Sequence, residues 1–135
     1  MARKKSTTLT EAELRLMDVL WQEGEATVAE VTKAMPAQLG LAYNTVLTTM
    51  RILEEKGYVR HSKPEQGRAF IYRPQVGRAD ATRSAVRELL RRFFGHSHEA
   101  LVLNLLEAEE LDERERQRVR DLLDRLDKFD KEAKP

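Results

Sequence analysis

Cysteine is absent from the 135 residues, which excludes disulfides, thiolate-bound zinc or copper, and thiol catalysis. Only six glycines occur, and they do not gather into a phosphate-cradling loop. Long apolar runs are missing too: the basic start Met1 to Lys5 leads into Ser6, Thr7 and Thr8, not into a signal peptide or membrane span. A cytoplasmic protein is therefore expected. No nucleophile, base and orienting residue stand in a recognisable arrangement, so the chain reads as no enzyme, with no cofactor and no small-molecule substrate.

What is abundant is charge, at 35% of residues. The signs almost cancel, to a formal +1, but residues 1–78 hold twelve basic and nine acidic side chains and the remainder twelve and fourteen. The mild basic bias falls in the half that carries the candidate reading elements below.

Helix signals follow in quick succession. Thr10 with Glu13 forms a capping pattern, flanked by Leu9 and Leu14 as a hydrophobic staple; Leu14, Met17, Leu20 and Trp21 form an apolar stripe that ends at Gly24. Thr27 with Glu30 opens a second, short helix burying Val28, Val31 and Met35 before Pro36. A third runs from about Tyr43 to Lys56, closed by Gly57, with Val46, Met50 and Leu53 inward. Two strand-like runs, Tyr58 to His61 and Ala69 to Arg73, flank Lys63-Pro64-Glu65-Gln66-Gly67, which has the composition of a hairpin loop.

Three helices and a hairpin in that order predict a mainly α, α+β winged helix-turn-helix with a two-stranded or three-stranded wing. Pro74 to Asp80 reads as a linker. Beyond it lie three amphipathic helices, with Val86, Leu89, Leu90, Phe93 and Phe94 on the first, Leu101, Val102, Leu105 and Leu106 on the second, and Val119, Leu122, Leu123, Leu126 and Phe129 on a third capped by Asp112. Three short helices make a meagre core alone, so burial against a second copy is expected, with Leu89, Phe93, Leu101, Leu105, Leu122 and Leu126 at the dimer contact. The chain thus divides into a disordered basic tail (1–8), a winged-helix head (9–75), a helical dimerisation domain (76–130) and a second disordered tail (131–135).

The chemistry points to the third helix. At about 100° per residue, Asn44, Thr48 and Arg51 project away from the core, with Thr45 and Leu47 on the flanks. That face is short-chained, polar and free of acidic residues until Glu54. Such side chains approach a groove floor closely and hydrogen-bond base edges or phosphates. Arg60, Lys63, Arg68 and Arg73 suit phosphate contact from the wing, although each taken singly also reads as a solvated charge. Tyr72 either packs beneath the wing or touches the DNA backbone. His96, His98 and Glu99 lie close in sequence but lack the i, i+4 spacing of a two-histidine metal site, and they read as a polar loop and cap, with no metal.

These elements resemble the penicillinase-repressor family, of the BlaI/MecI type with copper-repressor relatives. The resemblance spans roughly residues 8–128 and is carried by Leu9-Thr10-Glu11-Ala12-Glu13-Leu14 with Val19-Leu20-Trp21, by Tyr43-Asn44-Thr45-Val46-Leu47-Thr48-Thr49 through Leu53-Glu54-Glu55-Lys56-Gly57-Tyr58-Val59, and by Ala100-Leu101-Val102-Leu103-Asn104-Leu105. It implies a homodimer on double-stranded operator DNA of dyad symmetry, blocking genes for antibiotic resistance or stress handling. Asn44, Thr45 and Thr48 match positions that contact DNA in the family. It also implies induction by a membrane-bound metalloprotease sensor that cuts between an Asn and a Phe of the fifth helix. The matching bond is Asn104–Leu105, with Leu where the family has Phe; the same pair also reads as a core leucine beside a polar neighbour. The cysteines through which copper-sensing relatives respond are missing.

Two other readings use the same residues differently. A winged-helix module can bind protein instead of nucleic acid, but such a surface more often carries an apolar patch on its third helix. A small hydrolase would need a catalytic arrangement that the sequence lacks.

Overall fold

The computed structural model describes residues 8–133. The expected N-terminal tail lies, apart from Thr8, outside the described residues, as do residues 134 and 135 of the C-terminal one, whereas residues 131–133, expected in that tail, continue the last helix. By their contacts the described residues form two compact units, one up to Glu88 and one from Leu89 onward. That division falls inside the fourth helix, whereas the sequence places it at 75/76.

In the first unit the order is α1 (Glu11–Glu23), β1 (Ala26–Thr27), α2 (Val28–Ala34), a 3-10 turn (Ala37–Leu39), α3 (Tyr43–Glu55), β2 (Val59–Ser62), β3 (Ile71–Pro74) and the start of α4 (Arg78–Phe93). Helices α1 and α2 both begin with complete capping boxes: Thr10 and Thr27 accept from the amides of Glu13 and Glu30, whose carboxylates take the threonine amides in return. Gly24 (φ 86°) and Gly57 (φ 88°) end α1 and α3 in the left-handed region that side-chain-bearing residues avoid. The strands make one antiparallel sheet, ordered β1-β3-β2, in which Ala26 faces Tyr72 and Arg60 faces Arg73. Three helices followed by a two-stranded hairpin, with α3 leading directly into β2 and the short β1 from between α1 and α2 added to β3, is the winged helix-turn-helix.

The core is continuous through Leu16, Met17, Leu20, Val31, Val46, Met50, Leu53 and Val59, all nearly or wholly withdrawn from solvent. Its stripe on α1 differs from the expected one. The inward positions are Glu13, Leu16, Met17 and Leu20, while Leu14 is 42% exposed and Trp21 only partly covered. A carboxylate occupies the first inward position, so the apolar pattern seen in sequence appears rotated toward Leu14.

The linker is also shorter than expected. Helix α4 begins at Arg78, and the Ala81 amide donates to Gly77 O at 3.0 Å. Trp21 Nε1 donates to Val76 O at 2.8 Å, and the Arg78 guanidinium lies 4.8 Å from the Trp21 ring centre, beside an Asp18 carboxylate that it meets as an ion pair without hydrogen-bond geometry. Residues that read as a loose connector are fastened to α1. The strands slide likewise: β3 starts at Ile71, where pairing with Thr27 on one side and Ser62 on the other begins, leaving Ala69 and Phe70 in the loop.

The second unit holds the end of α4, then α5 (His98–Glu107) and α6 (Glu113–Ala133). Gly95 (φ 52°) and His96 (φ 66°) turn the chain after α4. Ser97 caps α5 by accepting from the Ala100 amide, and Asp112 caps α6 by accepting from that of Glu115. Arg116 Nε donates to Leu106 O at 2.7 Å, joining α6 to the end of α5.

Candidate nucleic-acid interface

Helix α3 is held by its inner side and open on its outer one. Val46, Met50 and Leu53 are fully buried, which leaves Asn44, Thr45, Thr48 and Arg51 exposed together. Leu47 is half-buried and packs on the edge of the core, so it contributes less free surface than the other four. The helix begins at Ala42 without a side-chain cap, unlike α1 and α2. Its first amides therefore keep their capacity to donate to an anionic group, and the helix dipole favours such a group there. Tyr43, at the first helical position, is 51% exposed.

The threonines differ in what they can still offer. Thr48 Oγ1 donates to Asn44 O at 2.9 Å and Thr49 Oγ1 to Thr45 O at 2.8 Å. Thr45 has no such bond among the described residues, since its i−4 residue, Leu41, precedes the helix.

The far end of α3 is locked. Lys56 Nζ, at the C-cap, donates to both carboxylate oxygens of Glu13 (2.7 and 3.0 Å) and to Thr8 O (3.0 Å). Burial works to raise the Glu13 carboxyl, but the Lys56 hydrogen bond, the Thr10 amide and the Lys56 charge outweigh it and hold the group below its ordinary value. One carboxylate thus caps α1 and fixes α3 against it, a double role that the capping pattern alone does not reveal.

On the wing, Arg60, Lys63 and Arg68 are exposed and make no ion pair among the described residues. Arg73 is different: its guanidinium is engaged by Glu25 at 2.8–2.9 Å and by Ser62 Oγ at 3.3 Å, tying β3 to the turn before β1. Tyr72 is buried, and burial followed by the nearby Glu54 charge pushes its hydroxyl up; of the two expectations, packing holds. His61 pairs with Glu54 of α3 and lies 4.7 Å from the Phe70 ring and 5.5 Å from that of Tyr72, so the wing is braced against the helix.

In the second unit Leu90 is buried, but Leu89, Phe93, Leu105, Leu122, Leu123 and Leu126 are exposed, from 40% at Leu89 to 70% at Phe93. Leu101 is intermediate, and Asn104 is exposed beside Leu105 on α5. His98 and Glu99 form the first turn of α5 behind the Ser97 cap, and no cluster of three or more His, Asp or Glu is gathered among the described residues. None of the described helices is long and apolar enough to cross a membrane.

The penicillinase repressor family model matches residues 9–125. The chain is 31% identical over 108 residues to the penicillinase repressor of Bacillus licheniformis, covering 80% of this chain and 83% of that protein. To the penicillinase repressor of Staphylococcus aureus it is 23% identical over 124 residues, or 92% and 97% of the two chains. Among solved structures, the solution structure of the DNA-binding domain of the repressor BlaI is similar at 31% identity, with a TM-score of 0.48, over 58% of this chain and 93% of that one.

Proposed function

This chain belongs to the penicillinase repressor family, and from that premise we propose that it is a sequence-specific repressor that binds duplex DNA as a homodimer. The observation that carries the reading is the exposed, acid-free face of Asn44, Thr45, Thr48 and Arg51 on a helix whose other side is fully buried. That face enters the major groove, while Arg60, Lys63 and Arg68 meet backbone phosphates. Affinity comes chiefly from the phosphate contacts and the counterions they release, and sequence preference from the base edges that α3 touches. Arg73, already engaged by Glu25, keeps β3 in place and is a lesser contributor.

The leucine and phenylalanine side chains exposed on α4, α5 and α6 supply the dimer contact, burying apolar surface that a single chain leaves wet. Two heads joined in this way bind a dyad-symmetric operator far more tightly than one, because the second engages at a high effective concentration. Release by proteolysis acts on the same coupling. A cut at Asn104–Leu105 separates α6 from the rest of the chain, and each head then holds only its own half-site. Incubation with membranes bearing a zinc metalloprotease sensor should yield a fragment ending at Asn104; an intact chain under inducing conditions would remove this step.

The reading face is tested by titrating Thr48→Ala and Arg51→Ala proteins against a duplex selected by the wild-type protein. Losing Arg51 should cost about 1–3 kcal/mol of sequence discrimination. Unchanged affinity and preference in both variants would place the reading face elsewhere.

A further inference from the structure

We infer that Thr48 is a specificity-determining residue that recognises a thymine through its methyl group. The inference rests on the DNA-binding reading above and adds to it the chemistry of one contact.

The hydroxyl of Thr48 donates its only hydrogen to Asn44 O at 2.9 Å, within the helix. A hydroxyl so engaged keeps lone pairs but has no proton to give. It also fixes χ1, because a β-branched side chain has few staggered positions in a helix and the oxygen occupies the one that faces the preceding turn. The hydroxyl can then accept but not donate, and the apolar group that the exposed residue offers a base is its methyl. In the major groove its complement is the thymine C5-methyl, the apolar feature among the base-edge groups there.

Its neighbours are equipped for other tasks. Asn44 lies one turn earlier and about 40° round the helix; its exposed amide offers both a donor and an acceptor, the pair that adenine requires. Thr45, with no carbonyl one turn back inside the helix, keeps its hydroxyl proton for a phosphate or a base. Thr49 is back-bonded like Thr48 but is half-buried, so its methyl is withdrawn from the face. Thr48 is the one of the three that combines an engaged hydroxyl with an exposed position.

Duplexes enriched from a random pool by the full-length wild-type chain provide the probe, and each thymine of one half-site is replaced in turn by deoxyuridine, which removes only the methyl. One replacement should weaken wild-type binding about fourfold, the worth of burying one methyl-sized group. Thr48→Val, which keeps the methyl and loses the hydroxyl, should retain that penalty. Thr48→Ser, which does the reverse, should bind the thymine duplex about fourfold less tightly and be indifferent to deoxyuridine at that position. No sensitive thymine, a serine variant that keeps the penalty, or a valine variant that loses it would overturn the inference while leaving DNA binding intact. Failure of the wild-type chain to enrich any sequence would overturn the DNA-binding reading and this contact with it.

Discussion

The two units contain similar amphipathic helices, yet they bury their apolar residues to very different extents. In the first, Met17, Leu20, Val31, Val46, Met50, Leu53 and Val59 are wholly withdrawn from solvent; in the second, Leu90 is the one buried side chain among those described, and Phe93, Leu105, Leu122 and Leu126 stay more than half exposed. Helical periodicity tells which side of a helix is apolar, not whether the same chain covers it. The first unit has a sheet and three crossing helices to close over its core. The second has only α5, α6 and the end of α4, too little to enclose its leucines.

The largest expected effect sharpens this contrast. Met50→Ala should destabilise the first unit by about 2–5 kcal/mol, whatever the protein concentration, because the cavity forms inside one chain. Leu126→Ala should cost less and only where chains associate. Urea unfolding followed at two protein concentrations separates these cases, and a concentration-dependent loss for Met50→Ala would break the distinction.

Removing the cation beneath Glu13 comes next. Lys56→Met leaves a buried carboxylate unpaired and should cost on the order of 3 kcal/mol at neutral pH. Because the folded Glu13 carboxyl is held below its ordinary value of 4.5, its contribution in the wild-type protein is present above that pH and is lost as the pH falls through the folded value. The gap between wild type and variant should therefore narrow in acid. Thermal melts from neutral pH down to pH 3 read this out, and a constant gap would mean that the pair does not link α1 to α3 electrostatically.

Leu122→Asp tests the second unit directly. It should shift sedimentation toward single chains while leaving the unfolding of the first unit within about 0.5 kcal/mol of wild type, as expected of an exposed position in the separate chain. Smallest in stability terms is the pair Arg60→Ala with Lys63→Ala. Their loss should leave folding untouched but lower the slope of log affinity against log salt by about two, one for each phosphate contact removed.

Much of the head was legible in the sequence because its signals are local. Thr10 with Glu13, Thr27 with Glu30, and Gly24 and Gly57 delimit the helices through contacts a few residues apart, and the Val46, Met50 and Leu53 stripe fixes which side of α3 faces out. What escaped depends on partners distant in sequence. Glu13 is a cap residue by pattern, but its second role needs Lys56; Arg73 is a wing cation by position, but Glu25 engages it. The two-residue strand β1 is too short to announce itself and exists because β3 lies beside it. Helix α4 begins early for a similar reason, since Trp21 and Arg78 fasten a stretch that carries linker-like composition.

The most direct test is the stoichiometry of the complex formed by the full chain and a duplex that it has selected, measured by sedimentation equilibrium. Two chains on each duplex, changing to one or none with Leu122→Asp, are expected if the second unit couples two reading heads. A tight, sequence-specific complex holding a single wild-type chain would contradict that coupling.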